Sequence, residues 1–176
     1  YCLDEEQIEE RATEVARTQL FLEYPDWTYS FKEEIENVVV GDEIENLNSY
    51  IFTDLYNLKN VDLGTGVSSL DFAFYDCTSL EEIVIPENVG SIGSYSFESC
   101  ESLRKVTFEG EEAMICDGTF SNAVNLEEIH CSKGMRVGGA DRSPFDNPYT
   151  DDDKWSEDVV LYVYEGSEMH DFAEEN

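Results

Sequence analysis

The chain has 176 residues, 41% hydrophobic and 12% aromatic, enough for a packed core and too many for wholesale disorder. Ten Lys and Arg stand against 41 Asp and Glu, a formal net charge of −31. Nucleic acid and anionic membrane surfaces are therefore excluded as expected partners, because the cations they require are scarce. No apolar run approaches the roughly 20 residues of a membrane span, and the opening residues carry no signal-peptide pattern.

In chain order, residues 4–22 read as a helix. Asp4 is its N-cap, and Glu5 and Glu6 suit the positive end of its dipole. Ile8, Ala12, Val15, Ala16 and Leu20 form one apolar stripe. Tyr24–Pro25 ends the helix, since a residue before proline avoids helical backbone. Trp27, Tyr29 and Phe31 then alternate with polar residues as an edge strand does. A period of 22–23 residues follows, in segments opening at Ile35, Leu58, Leu80, Leu103 and Leu126. Each has apolar residues at offsets 0, 3 and 5, as in Leu80/Ile83/Ile85 and Leu103/Val106/Phe108, the last two on one face of a short strand. A second column holds Ile44, Val67, Val89 and Met135, interrupted by Glu112, and a third holds Leu47, Leu70, Ile92 and Ile115. Phe52, Phe74, Phe97 and Phe120 recur after these, with Phe145 displaced by an insertion. Leu55, Cys77, Cys100 and Ala123 sit three positions beyond the first four. A lone unit of this kind cannot bury its apolar face, so the units must stack as parallel rungs about 4.8 Å apart.

The fullest unit, LEEIVIPENVGSIGSYSFESCESL from Leu80 to Leu103, resembles the BspA-like leucine-rich repeat family of bacterial surface proteins. The resemblance covers roughly residues 31 to 176 and is strongest over 58–131. Glu112, Ala123 and the single strand-following proline, Pro86, depart from the pattern. The expected fold is an α+β repeat solenoid, a short right-handed leucine-rich-repeat array with parallel β rungs. A helical cap precedes it, and a strand–helix cap closes it. The expected organisation is one structural domain in three parts: 1–31 as N-terminal cap, 32–148 as repeats, and 149–176 as acidic loop and C-terminal cap.

Residues 138–158 break the period. Gly138, Gly139, Pro144 and Pro148 mark loop, and Asp151, Asp152 and Asp153 join Asp141, Asp146 and Asp158 in an acidic cluster. Calcium prefers such oxygen ligands, but the spacing matches no EF-hand, and a solvated acidic loop is the expectation. Val159–Tyr164 reads as a strand. Ser167 then caps a short final helix with Met169, Phe172 and Ala173 on one side, where the domain is expected to end.

Enzymatic chemistry is not expected. None of the five cysteines, Cys2, Cys77, Cys100, Cys116 and Cys131, forms C-x-x-C, and with only His130 and His170 present no zinc spacing arises. Cys77 and Cys100, one rung apart, read as small buried thiols. Gly64-Thr65-Gly66 lacks the third glycine of a dinucleotide loop, and Gly93-Ser94-Tyr95 is not a nucleophile elbow. No cofactor or metal is expected.

The outward strand positions are Asn37 and Val39, Asn60 and Asp62, Glu82 and Val84, Lys105 and Thr107, Glu128 and His130. Stacked, they form a mixed strip that is either an ordinary solvated sheet face or a surface for a partner. Arg104 and Lys105 are paired cations suited to orienting an acidic group. Tyr50, Phe72 and Tyr95, two residues before the recurring Phe, either pack along the array or offer rings to a sugar or a protein. The family resemblance implies a non-enzymatic binding module of an extracellular or cell-surface protein, acting in adhesion with a protein or host-matrix partner. The alternatives are a structural spacer within a larger surface protein and a carbohydrate-binding domain.

Overall fold

The structure is a computed structural model that describes residues 32–138, 143–145 and 159–175. The expected N-terminal helix and aromatic edge strand, and the six aspartates weighed for calcium, lie outside the described residues.

Each turn of chain forms a flattened three-sided coil. One side carries β1 (Asn37–Val39), β2 (Asn60–Asp62), β4 (Glu82–Ile85), β6 (Lys105–Phe108), β8 (Glu128–His130) and β10 (Val160–Tyr162). The second side carries the two-residue strands β3 (Ser69–Leu70), β5 (Ser91–Ile92), β7 (Met114–Ile115) and β9 (Arg136–Val137). All pairings are parallel, and register follows the repeat: Glu82 faces Lys105, which faces Glu128, and Ser91 faces Met114. On the third side, tight turns are joined by backbone bonds at each step, such as Phe74 N to Ser96 O (2.9 Å) and Phe97 N to Thr119 O (2.9 Å).

The repeating apolar columns fill the interior. Leu58, Leu80, Leu103 and Leu126 line up fully buried. So do Leu55, Cys77 and Cys100, whose shared column is completed by buried Ala123. Phe52, Phe74, Phe97, Phe120 and Phe145 stack in sequence with centroids 5.2, 5.4, 5.7 and 5.7 Å apart, near-parallel ring packing that adds to burial. The displaced Phe145 is thus in line, and Phe172 extends the stack at 6.3 Å. In the second column the exposed Glu112 is passed over. Buried Ala113 takes the place, in register with Met135, because the run from β8 to β9 is one residue shorter than the run from β6 to β7.

One seam is open. The strand side divides into β1–β2 and β4–β6–β8–β10, and no backbone ladder joins β2 to β4. Pro86 has no N–H to give Leu63 the bond that Glu109 gives Ile85 one coil later (3.0 Å). Val61 is half-buried where Val38, Ile83, Val106 and Ile129 are buried.

Helix α1 (Glu168–Glu175) lies against the last coil. Ser167 caps it, its hydroxyl accepting from His170 N at 3.1 Å. Met169 is fully buried, and Glu168 accepts from Val137 N at 3.2 Å.

Candidate functional site

The outward face of the strand side carries two columns of side chains, because successive residues of a strand point to opposite faces. The first is Asn37, Asn60, Glu82, Lys105, Glu128 and Val160; the second is Val39, Asp62, Val84, Thr107, His130 and Tyr162. β10 therefore adds a sixth rung to the five read from the repeats. Asn60 donates to the Asn37 amide oxygen at 2.7 Å. The Lys105 ammonium lies 3.6 Å from Glu128, and His130 Nε2 lies 3.0 Å from the same carboxylate. The His130 hydrogen bond, then the Lys105 charge, hold the Glu128 carboxyl below its usual range. The His130 ring stacks on Tyr162 at 4.2 Å and 11°. Val39, Val84, Val160 and Tyr162 remain 53%, 48%, 50% and 47% exposed.

The position just before each strand is Glu36, Lys59, Glu81, Arg104 and Glu127, alternating in sign rung by rung. Lys59 contacts Glu36 at 2.9 Å, and backbone bonds set Arg104 beside Glu81 (2.8 Å) and Glu127 (2.9 Å). Arg104 and Lys105 are thus flanked by Glu81–Glu82 on one rung and Glu127–Glu128 on the next, a cross-strand pairing of opposite charges. Reading only the apolar columns hides this alternation.

Beyond the strands, the turn bears exposed Asp42, Glu43, Glu87, Glu109, Glu111 and Glu112. Asp42 accepts from the Thr65 amide at 2.8 Å and hydroxyl at 3.0 Å, which depress its pKa.

Tyr50, Phe72 and Tyr95 also come together, as a second ring column on the third side. Their centroids are 4.7 and 5.7 Å apart. All three have left-handed backbone, with φ of 63°, 51° and 58°, uncommon for bulky residues. Gly118 continues the column at φ 63°, and the Tyr95 ring lies over it: an added Cβ would come within 2.5 Å of that ring. Tyr50 is 39% exposed, and Phe72 and Tyr95 are half-buried, so the rings pack along the array and stay partly open to water. Sugar stacking uses a free ring face, and stacking occupies the facing sides of Tyr50 and Phe72.

Three of the described cysteines, Cys77, Cys100 and Cys131, are buried thiols. Cys77 and Cys100 donate to the Phe52 and Phe74 carbonyls at 3.1 and 3.2 Å. Burial pushes Cys77 well up, and pushes Cys100 and Cys131 to about 12, so the nucleophilic thiolate is not populated at neutral pH. Among the described residues, no group of three or more His, Cys, Asp or Glu is placed to hold a metal ion. No helix there is long and apolar enough to cross a membrane.

Residues 25–141 match the BspA type leucine rich repeat region in six copies. The chain belongs to this family. It is also similar to the crystal structure of a leucine rich cell surface protein from Faecalibacterium prausnitzii A2-165. That match has a TM-score of 0.51 and 22% identity and covers 61% of this chain. The match spans about a quarter of that longer protein, 27% of its chain, so the likeness concerns the repeat fold. No curated protein matches the sequence.

Proposed function

We propose that this BspA-type array is a non-enzymatic recognition module of a cell-surface protein, binding a protein partner through the outward face of its strands. One observation carries the reading: in a chain of net charge −31, the second strand column presents Val39, Val84 and Tyr162 about half exposed and contains only one acid, Asp62. Solenoids offer such extended surfaces to partners, and exposed tyrosine and aliphatic side chains on a rigid sheet lose little entropy on docking. The cell-surface setting draws on the family and on the similar structure, that of a cell surface protein.

The test is a panel of extracellular-matrix proteins beside a glycan array, probed with the wild-type chain and with Val84→Glu and Tyr162→Glu. Binding to a protein that both substitutions abolish supports the reading. Binding indifferent to both, or silence on both surfaces, overturns it in favour of a structural spacer.

A further inference from the structure

Resting on that reading of the strand face, we infer that its partner is a protein surface with an apolar centre and a cationic rim on one side, oriented so that the rim lies over the turn following the strands. Four strips run side by side along the array and differ in charge: the strand-entry positions, the outward column from Asn37 to Val160, the outward column from Val39 to Tyr162, and the strand-exit turns. The central strip is Val39, Asp62, Val84, Thr107, His130 and Tyr162, where Val39, Val84 and Tyr162 are exposed and water is released on contact.

The strip on the strand-entry side is already balanced. Glu36, Lys59, Glu81, Arg104 and Glu127 alternate in sign at rungs about 4.8 Å apart, and Lys59 is engaged by Glu36 at 2.9 Å. A charge of either sign brought above this strip meets attraction and repulsion within a single Debye length, so it gains little.

The strip on the strand-exit side is not balanced. Asp42, Glu43, Glu87, Glu109 and Glu111 are exposed, and Lys133 of the fifth coil is the one cation among the described residues of these turns. Acids alone select nothing in particular. Here they border the exposed apolar column on one side without a cation among them in the first four coils, whereas on its other side Lys105 stands between Glu82 and Glu128, so they repel an anionic partner, steer a cationic one and fix which way round it lies.

The experiment uses the full chain, isotopically labelled, and three synthetic peptides of equal length observed by NMR titration. One alternates lysine with valine and tyrosine, one alternates lysine with serine, and one alternates glutamate with valine and tyrosine. The expected result is that only the first moves the amides of Val84, Thr107, His130 and Glu109 together. Its affinity should fall about fivefold in Glu87→Gln/Glu109→Gln and hold within about twofold in Arg104→Gln, the range of exposed charge contacts. Equal binding of the lysine–serine peptide overturns the inference, because the attraction is then mere polyelectrolyte binding. Equal or stronger shifts of the strand face by the glutamate peptide overturn the cationic rim and leave the strand face standing. Silence from all three also overturns the rim, and the matrix-protein panel judges the face separately.

Discussion

Two ring columns climb this array at the same period and perform different work. Phe52, Phe74, Phe97, Phe120 and Phe145 are sealed in the interior and carry no left-handed backbone. Tyr50, Phe72 and Tyr95, two residues earlier, occupy left-handed positions at the rim of the third side and stay partly open to water. Equal spacing therefore reports a place in the coil and not a role. In the inner column burial and ring stacking carry no left-handed backbone cost. In the outer column ring contacts between rungs offset a backbone cost of about 1–2 kcal/mol per residue. Gly118 shows the other solution: no backbone cost, and a ring from the previous rung laid across it.

The comparison can be broken at several places. Phe97→Ala should destabilise most, by about 3–5 kcal/mol in urea unfolding, since it empties a fully buried site between two stacked rings. A loss under about 1 kcal/mol would show that the inner column is not the array's backbone of stability. Gly118→Ala should cost about 1–3 kcal/mol, combining left-handed strain with the collision against Tyr95. In a double-mutant cycle with Tyr95→Ala, the collision part should vanish and the strain part remain.

Phe72→Gly should fall within about 1 kcal/mol of wild type, because it gives up two ring contacts and relieves a strained backbone. A cost like that of Phe97→Ala would erase the distinction between the columns.

The inner column also has an uneasy neighbour. Glu98, directly after Phe97, is only 2% exposed, and burial first, then the Asp76 charge, raises its pKa above 4.5. Its folded pKa exceeds its unfolded one, so no penalty exists at pH well below 4.5. The penalty grows as the unfolded chain ionises first, and it is complete above the folded pKa. Wild-type stability should thus decline as pH rises from about 4.5. Glu98→Gln should flatten that decline, as read from urea midpoints between pH 4 and 7; an identical profile would refute the assignment. The smallest effect belongs to the exposed pair Lys105–Glu128, where Lys105→Ala should cost about 0.2–1 kcal/mol and less in high salt.

Much of the fold was legible because apolar side chains record burial directly: Leu58, Leu80, Leu103 and Leu126 had no other reason to recur. The outward strand residues were legible for the same cause, since alternation in a strand fixes both faces at once. Glu112 misled because the buried position passes to Ala113, just before β7, which pairs with β9 at a step of 22 rather than 23 residues, and spacing alone does not register such a slip. The left-handed turns were hidden. Tyrosine and phenylalanine do not advertise such backbone, and in that column only Gly118 carries a residue that favours it. The alternating column of Glu36, Lys59, Glu81, Arg104 and Glu127 was present in the sequence, but polar columns must be aligned as strictly as apolar ones before it emerges. Its consequence is that Arg104 and Lys105, which look like a spare anion site in one dimension, are flanked by acids on both neighbouring rungs.

Val160 pairs with Glu128, 32 positions earlier, whereas Glu128 pairs with Lys105 at a distance of 23. The register nevertheless stays in step, with Ser143 and Pro144 accepting from Gly118 N and Phe120 N at 3.1 and 2.8 Å and Phe145 in the ring column. Rung length is thus a free variable, and a grafted epitope or reporter segment spliced between Phe145 and Val159 should leave the pitch of the windings undisturbed.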